Sequence, residues 1–249
     1  MKTLLSAALL VAATSVAAAA ADMSMPYKAA PVAQSVYNWT GFYLGGTAGG
    51  GIANSSHLDA DDFEGANTKF QEAFGAVGLT AGYNYQLGHT VLGVEGDFNW
   101  ATVDKTTQFA NDRQTGSTSF KMDQFATLRA RAGLAFEQTL VYATAGLAFA
   151  HVQNTTAFGF DTFAQASEDK WKTGLAVGAG VEFALSHNWT LKGEYMLMQF
   201  ANSNANINNV DPGFSDNGLS ACGNARPCRM NYSESVQLAR IGLNYKFGY

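Results

Sequence analysis

Few residues in this chain could carry chemistry. The histidines are His57, His89, His151 and His187, and their separations match none of the short intervals at which a protein presents metal ligands. His151 is the one candidate general base. It shares a face with Phe149, and no serine and carboxylate stand around it in the sequence as such a base requires. It is read as an interfacial histidine, and the chain as not an enzyme. Cys222 and Cys228 fall within "ACGNARPCRM". In an exported protein they are expected to close a small disulfide loop, contributing about 2 kcal/mol in the chain-entropy model; free thiols or a metal site are the alternatives. "GGTAGGG" (45–51) lacks the strand–turn–helix setting of a phosphate-binding loop, and no cofactor is implied. What remains is a set of charges spaced at two-residue intervals: Glu95, Asp97, Glu182 and Glu194 against Arg129, Arg131, Lys192, Arg240 and Lys246.

The elements that hold those charges alternate with a period of two. In "KWKTGLAVGAGVEFALS" (170–186), Trp171, Leu175, Val177, Val181, Phe183 and Leu185 share one face, and Lys172, Gly174, Gly178, Gly180 and Glu182 the other. A half-buried strand of a soluble protein usually runs about 5–6 residues, and this pattern far exceeds that. It suits a tilted strand crossing a membrane, which needs about 9–11 residues. Similar stretches run approximately over 39–53, 73–86, 90–104, 120–136, 140–153, 189–200 and 234–248. Tight turns at 86–89, 137–139 and 186–188 alternate with long polar loops near 54–72, 105–119, 154–169 and 201–233. The fold expected is all-β: an eight-stranded antiparallel up-and-down transmembrane β-barrel with both ends on the short-turn side. A soluble barrel or sandwich is the rival, but a solvated outer face would carry more charge and less Gly than these strands do. Trp39, Tyr85, Phe136, Trp189, Tyr245 and Phe247 are expected at the periplasmic rim, and Trp100, Phe149, Trp171 and Phe200 toward the outer one.

Residues 1–21 have the form of a signal peptide, with cleavage expected around Ala20, Ala21 and Asp22. Residues 22–37, with Pro26 and Pro31, read as a periplasmic tether, and 38–249 as the barrel. Charged residues make up 14% of the chain and the formal net charge is -5, which argues against a nucleic-acid surface.

An eight-stranded barrel encloses a space that side chains can fill, so the inward charges are expected to pair. Glu95 and Asp97 should face Arg131 and Arg129, Glu182 should approach Lys192, and Glu194 should approach Arg240. The structural reading is a polar plug; the functional one is a narrow charge-lined pore.

Arg240 to Phe247 spell R-x-G-x-x-Y-x-F, which resembles the C-terminal signal that outer-membrane barrels show to their assembly machinery. That resemblance assigns the signal to Arg240, Gly242, Tyr245 and Phe247, with Tyr249 extending it by one aromatic repeat. "NWTGFYLGGTAGGG" (38–51), "VLGVEGDFNW", "LRARAGLAF" and the "RIGLNYKF" ending are similar to the small porin-like outer-membrane surface antigens of Alphaproteobacteria. That family is related in architecture to the barrel of outer membrane protein A. The resemblance implies a Gram-negative outer membrane location and a structural or surface-interaction role in the cell envelope. The alternatives are a small diffusion channel and, behind it, a lipid-modifying enzyme. Implied partners are outer-membrane lipid and lipopolysaccharide, the barrel-assembly machinery, and host, phage or cell-surface partners of the loops. Capture of a ligand such as haem around His57 or His151 is a minor variant.

Overall fold

A computed structural model describes residues 37–59, 68–110, 115–158, 164–206 and 229–247. They form nine strands: β1 (Gly41–Asp59), β2 (Thr68–Leu87), β3 (Thr90–Ala110), β4 (Thr115–Phe136), β5 (Thr139–Phe158), β6 (Ala164–Ala184), β7 (Trp189–Phe200), β8 (Ser203–Asn206) and β9 (Arg229–Lys246). Each pairs antiparallel with its sequence neighbour through β7, and β9 pairs with both β7 and β1, so the sheet closes on itself.

β7 and β8 make one stave of an eight-stave barrel. Between Gln199↔Ser235 and Ser203↔Tyr232 the first strand advances by one residue more than the second, a bulge that interrupts the ladder without ending it. The stagger can be followed round the ring from Tyr43 through Gly82, Glu95, Arg129, Gly146, Ala176, Met198 and Val236, which returns to β1 at Ala53. That displacement tilts the strands by roughly 40° and sets a lumen that side chains can span.

The strands are longer than their sequence pattern announces. β1 to β6 run 19 to 22 residues, about twice what a crossing needs. Most of what reads as loop at 54–59, 105–110, 115–119 and 154–158 continues as strand. The outward face divides accordingly. Over the half near the short turns it is apolar, with Leu175 and Ile241 each 66% exposed. Beyond Ile52, Ala73 and Trp100 it becomes Asn54, Gln71 and Asp104. A wall this apolar requires an apolar solvent. Leu128→Arg, in the middle of that band, should therefore cost about 2–4 kcal/mol when unfolding is followed in lipid vesicles; a cost near zero would place this face in water.

The far end is split. The β2–β3 ladder stops at Ala76↔Ala101 and the β6–β7 ladder at Gly174↔Phe200, whereas the ladders beside them run on to His57↔Thr68, Ala110↔Thr115, Phe158↔Ala164 and Asp59↔Met230. Two seams, four staves apart, leave one leaf made of β3–β6 and another made of β8, β9, β1 and β2. Side chains bridge them: Lys105 meets Glu72 at 3.0 Å, and the Ser203 hydroxyl donates to Glu168 at 2.8 Å.

Two aromatic assignments are corrected. Trp39 and Phe200 are each 2% exposed and lie inside the barrel, because alternation places them on the inward face beside Lys192 and Glu194 (Phe200) or ahead of β1 (Trp39). Tyr85, Phe136, Trp189 and Phe247 do stand outward at the short-turn rim, and Trp100 and Trp171 outward at the other.

Candidate functional site

The lumen is the place where this sequence concentrates polar chemistry, and it is built in layers. At the short-turn mouth, residues 37–40 fold inward. Trp39 N donates to Gln86 Oε1 at 2.7 Å and Gln86 N to Thr40 Oγ1 at 3.0 Å. Tyr37 N donates to the Glu137 carbonyl at 3.2 Å. The indole packs with Val91, Ala135, Leu140, Tyr142 and Ala184. Lys246, expected among the charge pairs, instead donates to the Asn38 carbonyl and sits 4.7 Å from the Tyr37 ring centre.

Above this lies the charge layer. Arg129 touches three carboxylates: Glu95 at 2.6 Å, Asp97 at 2.9 Å and Glu194 at 2.6 Å. Its remaining donors go to Thr144 and Thr127, whose hydroxyl in turn donates to Asp97. Arg240 joins Glu194 at 2.6 Å to Asp97 at 3.0 Å. Lys192 reaches Glu95 at 2.8 Å. Arg131 pairs with Glu182 and lies 3.7 Å from the Tyr142 ring centre. Tyr43 donates to Glu95, and Thr190 and Asn244 to Glu182. Four acids thus meet four bases, and the side chains of these pairs are at most 4% exposed. Burying such groups is tolerable only with this degree of mutual satisfaction, since an unpaired charge here would cost several kcal/mol.

The register decides the partners, and it differs from simple counting out of the turns. Glu95 stands opposite Arg129, and Arg131 opposite Gly93. Glu95 and Asp97 therefore share Arg129, the Asp97–Arg129 pair being the one expected, while Arg131 turns mainly to Glu182 and keeps Glu95 only as a longer partner at 3.9 Å. Glu182 and Lys192 are ladder neighbours, but the lysine reaches across the lumen to Glu95. Glu194 and Arg240 are both ladder neighbours and ion-paired. Glycine makes room for the two arginines: Gly146 faces Arg129 and Gly49 faces Arg240. A Cβ on Gly146 would stand 2.1 Å from the Leu128 carbonyl oxygen, and one on Gly49 2.3 Å from that of Ala239.

Next comes an apolar belt that alternation does not announce. Phe74, Val103, Phe120, Met122, Phe125, Met196, Met198 and Leu238 all point inward and are buried. Beyond it a second ionic group closes the series. Lys172 meets Glu234 at 2.8 Å and Glu168 at 3.1 Å, and Asn154 donates to Glu234 at 2.9 Å. His57 is 1% exposed, edge-on to Phe70 and Tyr232, with Nε2 3.0 Å from Ser55 Oγ. Parity could have found this group: Glu234 falls in step with Arg240, and Glu168 and Lys172 with Glu182.

His151 is outward, above Trp171. Its Nδ1 lies 2.9 Å from Asp123, the extra residue of a β4 bulge, and its Nε2 3.0 Å from Asp169. Two carboxylates therefore flank the ring, contrary to the reading from the sequence, because the β4 bulge brings Asp123 and the β5–β6 ladder brings Asp169 beside it.

Of the residues assigned to assembly, Tyr245 stacks edge-on with Trp189 and Phe247, and Phe247 lies 5.8 Å from the Phe42 ring centre. Gly242 is packed beside the Thr47 and Lys192 side chains. Tyr249, the cleavage residues Ala20, Ala21 and Asp22, and both Cys222 and Cys228 lie outside the described residues.

With this geometry in view, comparisons with known proteins are specific. The family model described as "Outer membrane protein beta-barrel domain" matches residues 6–217. The 31 kDa outer-membrane immunogenic protein of Brucella melitensis is 35% identical over 241 residues, covering 92% of this chain and 93% of that protein. The 22 kDa outer membrane protein of Rhizobium leguminosarum is 30% identical, covering 73% of this chain and 75% of that protein. Among solved structures the chain is similar to OprG of Pseudomonas aeruginosa, at 17% identity and a TM-score of 0.46 over 86% of this chain and 99% of that one. It is also similar to Ail of Yersinia pestis, at 16% identity and a TM-score of 0.40 over 84% and 99%.

Proposed function

This chain belongs to the outer membrane protein β-barrel domain family and resides in the Gram-negative outer membrane, and on that footing we propose that it is a closed barrel with a structural and surface-presenting role in the envelope. The observation that carries this reading is the layered lumen: a set of four acids and four bases in mutual contact, with an apolar belt directly above it. Water and ions crossing here would have to break buried pairs and then pass a dry constriction. The long strands raise the barrel's far wall above the lipid, where loops would meet host, phage or other cell surfaces. That relatives are named immunogenic outer-membrane proteins supports surface display. Residues 1–21 would direct export, 22–37 would tether the barrel on the periplasmic side, and the Arg240–Phe247 segment would engage the assembly machinery. Relatives named as immunogenic outer-membrane proteins support a non-catalytic barrel.

Single-channel recording of the refolded mature protein in planar bilayers tests the closed lumen. Silence is expected from the wild type. It is expected also from a Glu194→Ala, Arg240→Ala double variant, because the belt around Phe125 remains. A steady wild-type conductance altered by the double substitution would make the protein a diffusion channel.

A further inference from the structure

The two leaves above the lipid band present different outer walls. On β3–β6, Asp104, Lys121 and Asp169 put charges of both signs outward. On β8, β9, β1 and β2, Ile52, Ala73 and Gln237 share a level on the ladders, and above it the wall is mainly uncharged and polar, with Leu58 as an exposed apolar exception. Immediately above are Asn54, Ser56, Gln71, Ser233 and Ser235. Here the surface is hollowed. One depression of about 490 Å³ is bounded by Asn54, Ser56, Gln71, Gln199 and Ser235, with Lys69 at its margin. A second, of about 270 Å³, adjoins it through Ser56 and Ser233 and extends to Asn204 and Asn231, with Leu58 in its lining as an apolar patch that can meet the carbon face of a sugar ring.

Each of these hydroxyl and carboxamide side chains offers both a donor and an acceptor without net charge. Such a set matches the vicinal hydroxyls of a sugar, and Lys69 adds a cation to the lining of the larger depression. Strand backbone fixes the spacing, and Gln199 is held in place by donating to the Glu234 carbonyl at 3.0 Å. The wall begins one residue above the lipid-facing band of an outer-membrane protein. A saccharide already anchored in the neighbouring lipid would reach it at high effective concentration. The Lys69 ammonium offers a charge-assisted partner to a phosphate carried on that saccharide. We propose that this groove binds the core sugar chain of adjacent lipopolysaccharide. The inference deepens the envelope role above and rests on the same membrane placement.

The test is calorimetric titration of the refolded full barrel, in phospholipid nanodiscs, with core oligosaccharide freed from lipid A. Parallel titrations use a neutral host-type lactosamine oligomer. One variant carries Asn54→Ala, Ser56→Ala and Ser233→Ala; a control on the other leaf carries Thr106→Ala, Ser119→Ala and Thr155→Ala. Heat-modifiable gel mobility confirms that every protein is folded. Binding of the core oligosaccharide should weaken by about tenfold or more in the groove variant, from three lost hydrogen bonds, and be unchanged in the control. Absence of binding by the folded wild type, equal weakening in both variants, or binding of lactosamine alone would overturn the site. A silent barrel that ignored the oligosaccharide would sink this groove and leave the closed lumen standing.

Discussion

Arg129→Met should destabilise the barrel by about 3–5 kcal/mol. Arg129 is the shared counter-ion of Glu95, Asp97 and Glu194, all within 2.9 Å of its guanidinium. Methionine keeps most of the stem volume and removes the charge, so three carboxylates are left facing one another with only Arg240, Lys192 and Arg131 nearby. Adding a charge to the pore wall is not the cause; stranding charges that were paired is. Glu194→Gln should be milder, about 1–2 kcal/mol, because an amide oxygen still accepts from Arg129 and Arg240. Both are measured by urea unfolding in lipid vesicles, with tryptophan fluorescence and gel mobility as independent probes. An Arg129→Met barrel as stable as the wild type would mean that water reaches the layer and solvates the acids, and the closed reading would fall with it.

The second large effect is expected one layer up. Phe125 is fully buried in the belt with Phe120, Met122 and Met198, and Phe125→Ala should cost about 3–5 kcal/mol through lost packing and the cavity left behind. The same unfolding assay reads it, and a cost below about 1 kcal/mol would show that the belt is loosely packed or wet. Conductance should stay absent, since the charge layer beneath is untouched. The two layers therefore predict a non-additive behaviour: each alone suffices to block ions, while each contributes separately to stability.

The strands and their inward charges were readable because a barrel wall between lipid and a polar layer has two chemically different faces. "VEGDFNW" alternates for that reason, with Glu95, Asp97 and Asn99 inward and Val94, Phe98 and Trp100 outward. The belt was unreadable for the converse reason. In "YMLMQF" both faces are apolar, Met196 and Met198 inward and Leu197 outward, so no contrast marks which is which. Strand ends were lost where both faces turn polar, as in "ANSSHLD", where Ser55 and His57 face the lumen and Asn54 and Ser56 face out. Exact partners escaped because they depend on bulges and on reach across the lumen. Lys192, a ladder neighbour of Glu182, crosses to Glu95, and no count of residues from a turn contains that information.

The closure of the ring has a kinetic meaning as well. β1 and β9 pair from Tyr43↔Lys246 to Asp59↔Met230, joining stretches that lie nearly the whole chain apart. Contacts of such high sequence separation form late, after loop-closure entropy has been met. Once made, they cannot be undone by fraying from a free end, because each strand's other edge is held by β2 or β7. Loss of the fold must then pass through a costly rupture of the whole wall, so the barrel's lifetime would be governed by its unfolding rate more than by its equilibrium stability. For a protein standing in a membrane exposed to the outside, persistence of that kind is what lets a marginal free energy last.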